Sequence, residues 1–174
     1  MKKAIFLDRD GVINEANVKN GLPGSPKNLK EVKILPGVKE SILKLKKLSY
    51  LCLVITNQPN VSRKITNKTG VEEINTFLKL QTLVDDFFVC YHDDIDNCNC
   101  RKPKAGLLIS AQKKWDIDFK QSYMIGDRWR DIEAGKKVGC KTIFIDYKYN
   151  ETKPKNPNFI TDSLLNAVYI IEKN

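Results

Sequence analysis

The sequence predicts an α/β fold, a Rossmann-like parallel sheet with helices on both faces. Strand-like apolar runs alternate with segments of helical periodicity along the chain. The runs are continuously apolar, as strands buried on both faces are, and do not show the one-sided alternation of a sandwich. Polar residues that can carry chemistry follow directly on several of these runs, where the carboxyl ends of parallel strands collect ligands.

The elements read as follows. Residues 4–7, AIFL, form a short buried strand. Pro36-Gly37 opens a helix with Val38, Ile42, Leu43 and Leu45 on one side. LCLVITNQ, residues 51–58, is a second strand, and after a polar loop residues 71–83 return to helical spacing. Residues 86–91 form a strand that runs into a cysteine cluster, and residues 105–115 a helix. YMIGD is a strand ending at Asp127, followed by a helix over 131–138 that Gly139 closes. KTIFID is a further strand. The Pro- and Asn-rich stretch 148–158 is a connection, not a domain linker, before a last helix over 164–171. The 174 residues, without repeats, make one domain with a distinctive loop at about 90–100.

Composition narrows the function. With 41% hydrophobic and 29% charged residues the chain can bury a substantial core. No apolar run approaches the roughly 18–20 residues a membrane span needs, and MKKAIFLDRDG lacks the apolar stretch of an export signal. A cytoplasmic protein without a membrane partner is expected. The net charge of +9 raises nucleic acid as a partner, but the lysines are scattered and form no basic arm. A general basic surface that favours small anions fits better.

The five cysteines and the single histidine are distributed unevenly. Cys90, His92, Cys98 and Cys100 lie within CYHDDIDNCNC, and together make a complete tetrahedral Cys₃His set with no position left for water. A closed set of this kind implies structural zinc, with C-x-x-C redox chemistry as the poorer match. Cys52 and Cys140 read as buried fillers.

Four further clusters sit at strand ends. FLDRDGVIN places Asp8 and Asp10 two apart, so an extended chain turns both carboxylates one way, and Gly11 permits a tight turn. Clustered carboxylates favour a hard cation such as magnesium, although turns select Asp and Gly without any function. Thr56 and Asn57 end the next strand with groups that can donate to phosphate oxygens or cap a helix. Lys102, in CRKPKAG, is a compact point charge suited to a phosphoryl group or a solvated turn. Asp127 ends a third strand, and Asp131 is either part of a site or a first-turn acid.

In this order Asp8-x-Asp10, Thr56, Lys102 and Asp127 with Asp131 resemble the four motifs of the haloacid-dehalogenase superfamily of phosphohydrolases. The resemblance spans nearly the whole chain. With the DRDG, TNQ, CxH…CxC and RKP segments it is similar to the zinc-loop branch without a large cap, whose members act on heptose bisphosphates or on histidinol phosphate. The resemblance implies an aspartyl-phosphate mechanism with Asp8 as nucleophile and Asp10 as general acid and base. It further implies magnesium held by Asp8, Asp127 and the Asp10 backbone carbonyl, Thr56 and Lys102 on the phosphate, and Asp131 as support. Asn57, Arg101 and Arg128 become candidates for substrate contacts. The zinc loop is expected to act as a small substitute cap that leaves Arg101 and Lys102 poised over a phosphate.

The expected substrate is a phosphorylated sugar, foremost the 7-phosphate of D-glycero-D-manno-heptose 1,7-bisphosphate, and the expected state a monomer. PNVSRK after the TNQ segment and EANVKNGLPGSPKN after Asn14 depart from the corresponding loops of that branch, which leaves the sugar open. Histidinol phosphate stays as an alternative because Asp93, Asp94 and Asp96 could face a cationic substrate. A nucleic-acid 3′-phosphatase, a zinc-containing nucleic-acid module and a non-catalytic interaction domain are the other readings.

Overall fold

The computed structural model describes residues 1–174. Six strands form one parallel sheet in the order β3-β2-β1-β4-β5-β6: β1 (Lys3–Leu7), β2 (Tyr50–Asn57), β3 (Asp86–Cys90), β4 (Tyr123–Gly126), β5 (Lys141–Ile145) and β6 (Phe159–Thr161). The helices are α1 (Val38–Lys47), α2 (Lys68–Thr82), α3 (Gly106–Trp115), α4 (Trp129–Lys137) and α5 (Leu164–Glu172).

Alternation along the strands builds two cores. Ile5 and Leu7 of β1 join Val54, Ile125 and Ile143 against α1, α2 and α5, whose Ile42, Ile74 and Val168 fill that side. Ala4 and Phe6 turn to the other face, where Leu53, Ile55 and Met124 meet Leu108 and Ala111 of α3 and Ala134 of α4. Cys52 and Cys140 pack into the two cores as expected, and burial pushes both thiols up to about 12.

The chain runs outward from β1 through β2 to β3, then returns across the sheet to β4 and continues to β6. The strand order therefore reverses between β1 and β4, and open α/β sheets bind ligands at such a switch point. Pairing of Leu7 with both Val54 and Ile125 levels the carboxyl ends of β2, β1 and β4. Asp8, Thr56 and Asp127 consequently emerge side by side.

Three elements differ from their sequence-based expectations. β6 lies between the 148–158 connection and the last helix, where no element is expected, because it has only three residues and exists through pairing with β5, from Ile143–Phe159 to Ile145–Thr161. α2 starts three residues early, where the Asn67 side chain accepts from the Gly70 N–H at 2.8 Å. α4 starts at Trp129, so Asp131 is its third residue and reaches back to the Arg128 N–H at 3.0 Å.

α4 also approaches the sheet closely. A β-carbon on Gly135 would lie 2.6 Å from Met124 Cβ and 3.0 Å from Thr142 Cγ2. Gly135→Ala should therefore destabilise the protein by about 1–3 kcal/mol through overpacking; thermal unfolding checks this, and an unchanged midpoint would contradict the close approach.

Candidate active site

Lys102 reaches across the carboxyl edge of the sheet. Its backbone is clamped by Asn57: the Lys102 N–H donates to Asn57 Oδ1 at 3.0 Å, and Asn57 Nδ2 donates to the Lys102 carbonyl at 3.0 Å. Its ammonium, 2% exposed, contacts the Ile55 carbonyl at 2.6 Å, Asp131 Oδ1 at 2.6 Å and Asp8 Oδ1 at 2.9 Å. Three partners match the three protons of an ammonium. Burial pulls the lysine pKa down, but Asp131 and Asp8 outweigh it and hold it above the usual value.

Asp8, Asp127 and Asp131 bring carboxylate oxygens within 4.8 Å of one another, opposite this one ammonium. Burial, with repulsion from Asp131 and partial relief from Lys102, pushes Asp8 up to about 6. Burial and the charges of Asp8 and Asp131 raise Asp127 well above the carboxylate range. Both oxygens of Asp127 are buried without a hydrogen-bond partner. The Asp127 carboxylate also occupies space that a side chain at position 11 would need, since a Gly11 β-carbon would fall 2.0 Å from Asp127 Oδ2, and Gly11 has φ +88°. Unpartnered buried oxygens beside surplus negative charge fit a hard, oxygen-seeking cation of the magnesium type.

The Asp10 carboxylate is not in this cluster. It accepts from Arg9 Nε and Nη2, both at 3.1 Å, from Asn14 Nδ2 at 2.9 Å and from Gln58 Nε2 at 2.8 Å. Burial alone would raise its pKa; the Arg9 charge and the bonds from Arg9 and Asn14 outweigh it and hold the carboxyl below the usual range. Thr56 is buried, with Oγ1 accepting from the same Gln58 amide at 2.9 Å.

Around the aspartates a small inner pocket is lined only by polar groups, glycine and proline, including Ser25, Arg128 and Arg130. It adjoins a mouth of about 230 Å³ bordered by Arg63, Arg101, Arg128 and Arg130. Arg101 is placed differently from the expectation that it hangs over a phosphate: it donates to Asp94 at 2.8 Å and to the His92 carbonyl at 3.3 Å. Arg130 binds the same Asp94 at 2.9 Å, Arg63 binds Asp93 at 2.5 and 2.7 Å, and Arg128 forks onto Glu151. Asn57 borders both spaces, but its amide is committed to the Lys102 backbone.

Arg9, Gln58, Arg63 and Arg130 were not among the sequence-derived candidates. Their signals, DRD, TNQ, PNVSRK and RWR, lie inside segments already singled out, but what each touches is settled by the fold.

The four residues of the cysteine cluster also converge. Sulfur–sulfur distances are 3.2–3.7 Å, and His92 Nδ1 lies 3.6 Å from Cys90 and 3.3 Å from Cys100. Tetrahedral zinc, with bonds of about 2.3 Å to sulfur and about 2.0 Å to nitrogen, sets ligand atoms about 3.5–3.8 Å apart, so the donor set fits. Burial would raise the Cys98 thiol, but the Arg101 and Cys100 backbone N–H groups and the neighbouring thiols outweigh it and bring the group to about 7. The loop is braced outward as well, through Asp93 to Arg63 and through Asp96 to Ser62 at 2.7 Å.

Known proteins are similar to this chain in sequence and fold. A family model described as HAD-hydrolase-like matches residues 99–167. The D-glycero-beta-D-manno-heptose-1,7-bisphosphate 7-phosphatase of Helicobacter pylori is 35% identical over 145 residues, 80% of each chain. The chain belongs to the HAD-like hydrolases. The D-glycero-alpha-D-manno-heptose-1,7-bisphosphate 7-phosphatase of Campylobacter jejuni is 30% identical to this HAD-like hydrolase, over 90% of this chain and 88% of its own. The crystal structure of D,D-heptose 1,7-bisphosphate phosphatase from B. bronchiseptica, complexed with magnesium and phosphate, matches with a TM-score of 0.85 at 25% identity, over 98% of both chains. This HAD-like hydrolase is a phosphomonoester hydrolase. No helix in it is long and apolar enough to cross a membrane.

Raised carboxyl pKa values mean that protons compete with a cation for Asp8 and Asp127. Magnesium affinity, measured by calorimetry, should fall as pH drops through about 6, and binding above that pH should release protons in amounts that decline as the pH rises. An affinity unchanged between about pH 5 and about pH 7.5 would contradict this reading.

Proposed function

We propose that the enzyme removes the 7-phosphate of a heptose 1,7-bisphosphate, with Asp8 as the nucleophile. The observation that carries this is the pairing of the Asp8–Lys102–Asp131 centre with an arginine-bordered mouth beside it. The centre suits the phosphate that reacts. At the mouth, four guanidinium groups face the carboxylates of Asp93, Asp94 and Glu151, so positive charge is in excess where a second phosphate of the same substrate would lie.

In this mechanism an Asp8 oxygen attacks phosphorus in line, and the bond to the sugar oxygen breaks. Asp10, with one of its amide donors yielding to the proton it carries, gives that proton to the sugar oxygen and then takes one from the water that hydrolyses the aspartyl-phosphate. Lys102 meets the charge of the phosphate oxygens, with Thr56 as the second donor, while Asp131 and Asn57 hold Lys102 in place. Asp8 and Asp127, with the Asp10 backbone carbonyl, would hold magnesium, which offsets the repulsion between the nucleophile and its anionic substrate. Cys90, His92, Cys98 and Cys100 would hold zinc as a structural staple.

The acidic loop does not favour histidinol phosphate. Asp93 and Asp94 are neutralised by Arg63, Arg101 and Arg130, and Asp96 is bound to Ser62 and the Asp93 N–H. A cationic substrate would find only the exposed Asp96 without a basic partner there.

Phosphate release from both anomers of heptose 1,7-bisphosphate, a heptose 7-monophosphate, histidinol phosphate and a 3′-phosphorylated oligonucleotide tests the assignment. One bisphosphate anomer should give the highest kcat/KM, and Asp8→Asn should abolish turnover while keeping the fold. A preference for histidinol phosphate would overturn the substrate, and activity in Asp8→Asn would overturn the covalent mechanism. The metals separate by readout. Purified protein should contain about one zinc per chain, and stripping it should lower the unfolding temperature in a way that magnesium does not reverse. An unmoved unfolding temperature would exclude the structural role.

A further inference from the structure

We propose that Arg9 is the positioning residue for Asp10, and that Asn75 on α2 anchors Arg9 in that task. The inference deepens the mechanism above and rests on Asp10 being its acid and base.

Arg9 stands between the two aspartates of DRDG, where strand alternation would turn its side chain away from them. It is instead fully buried, and it heads the largest wholly buried side chains of the protein. The backbone turns around it: the Arg9 carbonyl accepts from the N–H groups of Val12, Ile13 and Asn14 at 3.3, 2.8 and 3.1 Å. The guanidinium then folds back on its neighbour, with Nε and Nη2 each donating to a different oxygen of Asp10. Nη1 donates to Asn75 Oδ1 at 3.1 Å. Asn14 and Gln58 add one donor to each Asp10 oxygen, which fixes the carboxylate from three sides.

Stability does not account for these residues. A buried ion pair is often replaced by well-packed apolar groups at no loss. Asn75 sits on the face of α2 that Val71, Ile74 and Leu78 turn to the core. Its side chain makes one hydrogen bond, accepting from Arg9, and its Nδ2 is buried without a partner. Leucine would fit that face and remove the unpaired Nδ2, but it would take from Arg9 Nη1 its one acceptor. An asparagine there is explained by the guanidinium it holds, and the guanidinium by the carboxylate it grips.

The two half-reactions expose the role. In the first, Asp8 bonds to phosphorus, the phosphorus–oxygen bond to the leaving group breaks, and the departing oxygen keeps the electron pair and takes a proton from Asp10. In the second, water bonds to phosphorus, Asp8 recovers its electron pair, and the water proton passes to Asp10. A dinitrophenolate leaving group is stable without the proton, so dinitrophenyl phosphate requires Asp10 only in the second half. A displaced Asp10 must therefore let phosphorylated Asp8 accumulate.

The experiment compares wild type, Arg9→Lys, Asn75→Leu and Asp10→Asn in the full-length, magnesium-loaded protein by rapid mixing with 2,4-dinitrophenyl phosphate. Arg9→Lys and Asn75→Leu should lower the steady-state rate by about 10²-fold, the loss typical of a misplaced catalytic group. They should show a burst of dinitrophenolate equal to the enzyme present, with a hydroxylamine-sensitive phosphoenzyme. Asn75→Leu should stay folded with a lowered unfolding temperature, because Arg9 Nη1 loses its acceptor, and if Arg9→Lys does not fold, Asn75→Leu decides alone. Wild-type turnover in the variants, or a loss of rate without a burst while Asp10→Asn does burst, overturns the role of Arg9 alone. No phosphoenzyme in any protein, Asp10→Asn included, overturns the aspartyl-phosphate mechanism itself.

Discussion

The ammonium of Lys102 divides its contacts among the Ile55 carbonyl, Asp8 and Asp131, and the geometry of the working edge depends on that division. Three carboxylates gathered at the ends of β1 and β4 would otherwise repel one another in a region that water barely reaches. One cation of the chain's own offsets part of that charge and leaves Asp127 unpartnered. Surplus negative charge is thus retained at the point where the strand order reverses, where the proposed magnesium would be held.

Lys102 is placed jointly by the loop after β3 and by the end of β2. Asn57 clamps its backbone from the end of β2, and the cysteine cluster two residues before it closes the loop on itself. The same loop sends Asp93 and Asp94 outward to Arg63, Arg101 and Arg130. One staple therefore sets a lysine inside the site and three guanidinium groups at its mouth, without a separate cap domain. Arg9 and Asn75 hold Asp10 by a second network, joined to the first where the Arg9 N–H donates to Asp8 Oδ1.

Much of the fold was legible because its signals are local. An apolar run such as LCLVITNQ and the Val38–Ile42–Leu45 spacing report strand and helix from neighbouring residues. β6 was not legible, since three residues between turn formers carry no periodicity and become a strand by pairing with β5. The early start of α4 depends on the Asp131 carboxylate turning back to the Arg128 N–H, a contact that a list of residue types does not announce. Arg9 was passed over for a related reason: a basic residue in a turn reads as solvent-facing until the turn is seen to close around it.

For the site, the sequence by itself determined which chemical groups are present and that they follow strands: Asp8 and Asp10, Thr56, Lys102, Asp127, and the Cys₃His set within eleven residues. These are short-range facts, written in spacing and in strand-then-polar order. Only the tertiary structure decided the partnerships. It tied Asp10 to Arg9, gave Asn57 to the Lys102 backbone 45 residues away, and tied Arg128 to Glu151 and Arg130 to Asp94. The physical reason is that buried charges must find counter-charges or donors wherever the packed chain brings them, and that choice is made between strands and loops distant in sequence.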